Sequence, residues 1–169
     1  MVDRRPHFAR YRVRLGFVAA VVALILAVPT PASLAIGGAV ALAGEAVRIW
    51  AAGHLDKGRE VTSSGPYRFT RHPLYLGSSI IGAGFAIACA SWIVALVVGV
   101  YLAVTIGSAI RGEEGHLTEK FGETYPAYRD GLVVDARRRF SAARVIANRE
   151  YRAVAGLVAV LALLAWKAL

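Results

Sequence analysis

Between Pro73 and Ile110 the chain runs for 38 residues without one Asp, Glu, Lys, Arg or His. As a single helix this run would extend about 57 Å, nearly twice the roughly 30 Å hydrocarbon thickness of a bilayer. Two antiparallel spans accommodate it, and a hairpin returns the chain to the side it left. The polar sequence ending in Arg71-His72 and the polar sequence opening with Arg111-Gly112-Glu113-Glu114 then face each other at one membrane surface.

Composition agrees with a membrane setting. Fifty-seven per cent of the 169 residues are hydrophobic and only 18% are charged, which points to an all-α, polytopic integral membrane protein rather than a soluble domain. The formal charge of +9 does not argue for nucleic acid, because the Arg residues flank apolar spans instead of decorating a polar fold. Cys89 is the only cysteine and lies inside an apolar run, so neither a disulfide framework nor a Cys-based metal site is expected. Ala27 to Pro31 offers only a weak cleavage signal, and the first apolar stretch reads as an uncleaved anchor.

Charge asymmetry orders the spans. Arg4, Arg5, Arg10, Arg12 and Arg14 precede the first apolar stretch against a single Asp3, which places the N-terminus in the cytoplasm. Five transmembrane helices are expected, at about Val13–Val28, Ser33–Ala52, Pro73–Ala90, Ile93–Ile110 and Ala153–Trp166. Of the 20 basic residues, only Lys167 then falls on the outer side. The second span carries Gly37, Gly38, Ala41 and Gly44, small residues that let helix backbones approach closely. Gly82 and Gly84, mid-span with no strand before them, read as packing residues rather than a nucleotide loop. Glu45 and Arg48 stand three apart and share a helix face, as an anchoring ion pair or as part of a site. Arg137 to Arg152 suggests an amphipathic helix on the inner leaflet, whose Arg144, Arg149 and Arg152 anchor it or meet anionic headgroups. The chain therefore divides into a two-helix part at 1–52, a motif-bearing part at 53–129 and a basic segment with a last helix at 130–169, all one membrane domain.

Pro73 suits the first turn of a helix, with His72 just outside it. The positive helix end and Arg71 meet there, at a point that favours a carboxylate or phosphate. Opposite, Glu113 and Glu114 can accept hydrogen bonds from ribose hydroxyls or face an ammonium or sulfonium. A cofactor with a carboxylate, an amine and a sulfonium, such as S-adenosyl-L-methionine, matches both signs. Ion pairs that merely anchor the span ends are the alternative.

Gly65-Pro66-Tyr67, then Arg71-His72-Pro73-Leu74-Tyr75-Leu76-Gly77, then Glu113-Glu114 with Leu117, Phe121-Gly122, Tyr125 and Tyr128 resembles the isoprenylcysteine carboxyl methyltransferase and phospholipid methyltransferase family of integral membrane enzymes. The resemblance covers about Gly44 to Arg129. It implies S-adenosylmethionine-dependent methyl transfer to a lipid or lipidated acceptor, with membrane lipids as partners and the active site on the cytoplasmic face of the plasma (inner) membrane. By resemblance, Arg71, His72, Pro73, Tyr75, Gly77, Glu113 and Glu114 bind the cofactor, and Tyr67 and Tyr125 are weaker candidates. His72 and Glu114 are the candidate catalytic residues, should an amine acceptor have to lose a proton. The chain departs from the family pattern after Tyr128 by adding a basic segment and a further span. An NADPH-dependent lipid or sterol reductase is the competing enzyme class, which Glu113-Glu114 disfavours because a 2′-phosphate wants Arg or Lys. A non-catalytic membrane protein is the third.

Overall fold

The computed structural model describes residues 7–132 and 138–169, with side chains at 16 and from 18 onward. Every regular element among these residues is helical: α1 (His7–Leu26), α2 (Pro31–His54), α3 (Pro73–Cys89), α4 (Trp92–Phe121), α5 (Thr124–Arg129), α6 (Ala142–Ala147) and α7 (Tyr151–Lys167). By length and composition α2 and α4 are able to cross a membrane. At 17 residues, or about 26 Å, the apolar α3 is shorter than the usual span. Arg4 and Arg5 of the basic N-terminus, and Arg137, lie outside the described residues.

The sharp entry into α2 is written in Pro29-Thr30-Pro31. The Thr30 amide donates to Ser33 Oγ at 2.9 Å and the Ser33 amide donates to Thr30 Oγ1 at 3.1 Å. This reciprocal capping box satisfies two donors a helix start leaves without partners, and Pro31 occupies a position that needs no N–H. At the same end, the Val28 amide donates to the Cys89 carbonyl at 2.8 Å, which ties the turn before α2 to the end of α3.

The α2–α3 pair is the centre of the bundle, and small residues make it. A β-carbon placed on Gly37 would sit 2.4 Å from the Gly84 carbonyl oxygen, and one on Gly84 would sit 2.4 Å from the Ala41 amide nitrogen. Gly44 meets Gly77 and Ile81 in the same way. Gly84 therefore packs a helix, as its mid-span position indicated. The turn between α3 and α4 passes through Ala90 in the left-handed region, at φ 49°.

One sequence expectation needs correction, and one helix outruns its apolar span. The fourth apolar stretch ends at Ile110, but α4, 30 residues in all, continues to Phe121 and stops at Gly122, whose φ is +52°. Loss of apolar character marks where a chain leaves hydrocarbon. Helix formation persists because Glu, Lys and Leu favour it regardless of polarity. The basic segment, in turn, is not one amphipathic helix. After residue 138 it holds only the six-residue α6, folded onto the end of α2. Arg144 Nε and the Ser141 amide donate to the Gly53 carbonyl at 2.7 and 3.0 Å, and Asn148 Nδ2 reaches the Ala52 and Leu55 carbonyls at 3.0 Å each. These donors answer the carbonyls that a helix C-terminus leaves unsatisfied, a stronger local demand than an amphipathic stripe. At the opposite end of the bundle, Lys167 Nζ does the same for α1, donating to the Leu24 and Ile25 carbonyls at 2.8 Å.

Candidate active site

The continuation of α4 is what builds the site. It carries Glu113 and Glu114 past the end of the apolar run and alongside the start of α3. Glu114 Oε1 accepts from His72 Nε2 at 3.1 Å and lies 3.4 Å from Arg71 Nη1. The hydrogen bond from His72, aided by Arg71, holds the Glu114 carboxyl below the usual carboxylate range against partial burial. Adjacent residues on a helix point about 100° apart. While Glu114 engages His72 and Arg71, Glu113 accordingly faces a cavity of about 540 Å³ together with His116 and Leu117, which follow it at helical spacing.

The opposite wall comes from the loop between α2 and α3. Gly65 adopts a positive φ of 57°, and a β-carbon there would lie 2.6 Å from the His54 ring, so the chain passes flush against α2. The Gly65–Arg68 turn that follows buries Tyr67. Tyr128 locks the turn from α5, its hydroxyl donating to the Tyr67 carbonyl at 2.7 Å. Burial raises the phenol of Tyr67 and pushes that of Tyr128 up to about 12, so both remain donors near neutrality. Tyr75 stands one helical turn from His72, with ring centroids 5.8 Å apart.

Of the residues singled out in the sequence, Arg71, His72, Pro73, Tyr75 and Glu113 line the cavity, as do Tyr67 and Tyr125. Glu114 is joined to two of them without lining it. Gly77 is directed elsewhere: a β-carbon on it would lie 2.5 Å from Arg48 Cγ and 2.8 Å from the Gly44 carbonyl oxygen, so its close approach is to α2. That approach lets the Arg48 stem cross α3. The guanidinium then donates to Ser78 Oγ at 2.5 Å through Nη1 and to Glu150 Oε1 at 2.6 Å through Nε. Its i, i+3 neighbour Glu45 remains farther away, at 3.7 Å.

Sequence reasoning did not place Lys57, Glu60, Ser78 or His116 in the site, and it left Arg48, which also lines the cavity, open between an anchoring ion pair and a site role. Helical periodicity from Glu113 would have found His116. Nothing local pairs Arg48 with Glu150, which is 102 residues away.

The cavity offers both signs of charge and an aromatic wall, and about 540 Å³ lies within the roughly 300–1,000 Å³ typical of small-molecule sites. Arg71 and Lys57 suit a carboxylate, whereas Glu60 and Glu113 suit an ammonium or vicinal hydroxyls. The donor set fits S-adenosylmethionine. Residues 47–124, from the middle of α2 through Glu113 and Glu114 to the end of α4, match the family model for phospholipid methyltransferase. No curated protein and no solved structure matches the chain.

Proposed function

The chain belongs, through residues 47–124, to the isoprenylcysteine carboxyl methyltransferase and phospholipid methyltransferase family of membrane methyltransferases, and from that premise we propose that it transfers a methyl group from S-adenosylmethionine to a lipid or lipidated acceptor. The observation that carries the reading is the convergence of His72 and Glu113, from α3 and α4, on the cavity of about 540 Å³. S-adenosylmethionine supplies, when bound, an electrophilic methyl on a sulfonium. Glu113 and Glu60 accept hydrogen bonds from its amine or hydroxyls, Arg71 and Lys57 neutralise its carboxylate, and Tyr67 and Tyr75 give the apolar contact that excludes water. Glu114 acts as a positioning residue that fixes Arg71 and His72. Paired with that carboxylate, His72 takes the proton when the acceptor is an amine. The main contribution of the site is alignment of donor and acceptor, because displacement at a sulfonium needs no further activation of the methyl.

The matching topology has five spans with the N-terminus, the cavity and α6 on the cytoplasmic side of the plasma (inner) membrane. It is supported by the distribution of basic residues, with Lys167 the exception. The acceptor enters from the inner leaflet and the cofactor from the cytosol.

Calorimetric titration of the purified protein with S-adenosylmethionine and its demethylated product tests the reading. Binding is expected, weakened roughly tenfold or more in Glu113→Gln and His72→Ala by loss of charge-assisted hydrogen bonds. Binding of NADPH in place of S-adenosylmethionine would replace this reading with a reductase, and wild-type affinity in both variants would overturn the site.

A further inference from the structure

Between them, α1, α2, α3, α4 and α7 line a second cavity of about 420 Å³ that is open to the surface of the bundle and walled chiefly by apolar and small side chains such as Ile81, Phe85, Leu102 and Leu157. Arg48 and Ser78 line both this cavity and the one at His72 and Glu113, so the two meet at that pair. At the same junction stands Glu45. Its side chain is only 5% exposed, it lines the apolar cavity, and neither carboxylate oxygen receives a hydrogen bond from any described residue.

A buried carboxylate without hydrogen bonds is costly and calls for a donor. Among the described residues Arg48 is the cation that stands within 4 Å of it, and its short contacts go to Glu150 and Ser78, leaving Glu45 at 3.7 Å. Glu45, Arg48 and Glu150 together therefore present two carboxylates to one guanidinium. The missing partner is a positive hydrogen-bond donor at the mouth of an apolar cavity.

We propose that this cavity is the acceptor site and that Glu45 selects a single-chain amphiphile with an amine head and no phosphate, its hydrocarbon among the apolar walls and its nitrogen at the junction. The assignment of the amphiphile as methyl acceptor rests on the methyltransferase reading above: the bound ammonium gives one proton to His72, its freed lone pair forms the N–CH3 bond, and the S–CH3 bond breaks to leave the neutral thioether. A carboxylate head meets two like charges at this point, and a phosphodiester finds no uncommitted cation among the described residues at the junction, since Arg48 is held by Glu150. An alcohol gains one neutral hydrogen bond where an ammonium gains a charged one. The volume, in the lower part of the small-molecule range, favours one chain over two.

The test uses the full-length protein in phosphatidylcholine nanodiscs, with binding measured in excess of empty discs. The probes are a long-chain primary alkylamine and the alcohol, carboxylate and lysophosphatidylethanolamine of the same chain length. The amine is expected to bind roughly tenfold or more tightly than the other three. Glu45→Gln is expected to bring amine and alcohol to equal affinity. Gly156→Phe, which fills the cavity at a position where a β-carbon meets nothing within 4 Å, is expected to weaken both together. Equal binding of all four probes by the wild type, or amine preference retained in Glu45→Gln, overturns the proposal. Should Glu45→Gln not fold, the wild-type ranking and Gly156→Phe decide it alone. Loss of amine preference alongside intact S-adenosylmethionine binding refutes this inference only. Intact preference without S-adenosylmethionine binding refutes the methyltransferase reading and leaves an amine site.

Discussion

His72 Nε2 and Glu114 Oε1 stand 3.1 Å apart although 42 residues separate them in the chain. Between them lies the apolar hairpin, and what closes the distance is the helical stretch that α4 adds beyond Ile110. The two neighbouring carboxylates on that stretch do different work. Glu113 is exposed toward the cavity, and Glu114 is half-buried against Arg71 and His72.

The two should separate experimentally. Glu114→Gln is expected to lower thermal stability by about 0.5–1 kcal/mol, the modest size proper to a partly exposed pair. The folded-state carboxyl is shifted down from its ordinary value. Its contribution is thus fully present above the ordinary carboxylate range and lost as pH falls through the lower folded value. Melting curves of wild type and Glu114→Gln should differ by a constant amount near neutrality and converge in acid. Glu113→Gln should lose cofactor affinity with an unchanged melting temperature. Equal stability losses in both variants would contradict the division.

The α2–α3 contact leaves no room for a methyl group. Gly84→Ala would bring a β-carbon to 2.4 Å from the Ala41 amide nitrogen and 2.6 Å from the Gly37 carbonyl oxygen. Both obstacles are backbone, so the helices must separate, at a cost of about 1–3 kcal/mol. Gly99→Ala and Gly107→Ala on α4 meet nothing within 4 Å and should unfold at or above the wild-type temperature. Thermal unfolding of the three variants under one condition is the measurement, and an unperturbed Gly84→Ala would disprove the contact.

How much of this was written locally is clear from individual residues. The Pro73 boundary and the small-residue faces were legible because each depends on neighbours within a helical turn or on composition. Gly77 was read as a cofactor contact, and its packing against Arg48 depends on which face of α3 meets α2, something the motif does not encode. The reach of α4 beyond Ile110 was not legible because absence of charge reports hydrocarbon, not helix. The ties from Arg144 and Asn148 to the end of α2, and from Glu150 to Arg48, join residues about 90 to 100 apart. In sequence those side chains show only charge or polarity, with no indication of a partner.

Tyr128 lines the cavity and also holds its wall in place. Its hydroxyl donates to the Tyr67 carbonyl in a buried setting, which anchors the Gly65–Arg68 turn to α5. Tyr128→Phe should cost about 1 kcal/mol of stability, or somewhat more because the carbonyl is left unsatisfied. Calorimetry should show cofactor binding weakened alongside it. If the loss came from ring packing rather than the hydrogen bond, Tyr128→Phe would behave as wild type and Tyr128→Leu would not.

The proposed orientation is open to direct chemistry because Cys89 is fully buried at the end of α3 and should resist a membrane-impermeant thiol reagent. Single cysteines can then be added on that silent background. His116→Cys, at the charged end of α4, is expected to label only in inverted vesicles or after lysis. Leu169→Cys, just beyond Lys167, is expected to label in intact cells. Lys167 is the informative residue here. Its ammonium sits on the α1 carbonyls at Leu24 and Ile25, so in the proposed orientation the basic residue assigned to the outer side has a helix terminus to compensate it. Lys167→Met should destabilise the protein by about 0.5–1 kcal/mol without inverting it, since the N-terminal arginines dominate insertion. Labelling of both positions from the same side would refute the odd number of crossings between them.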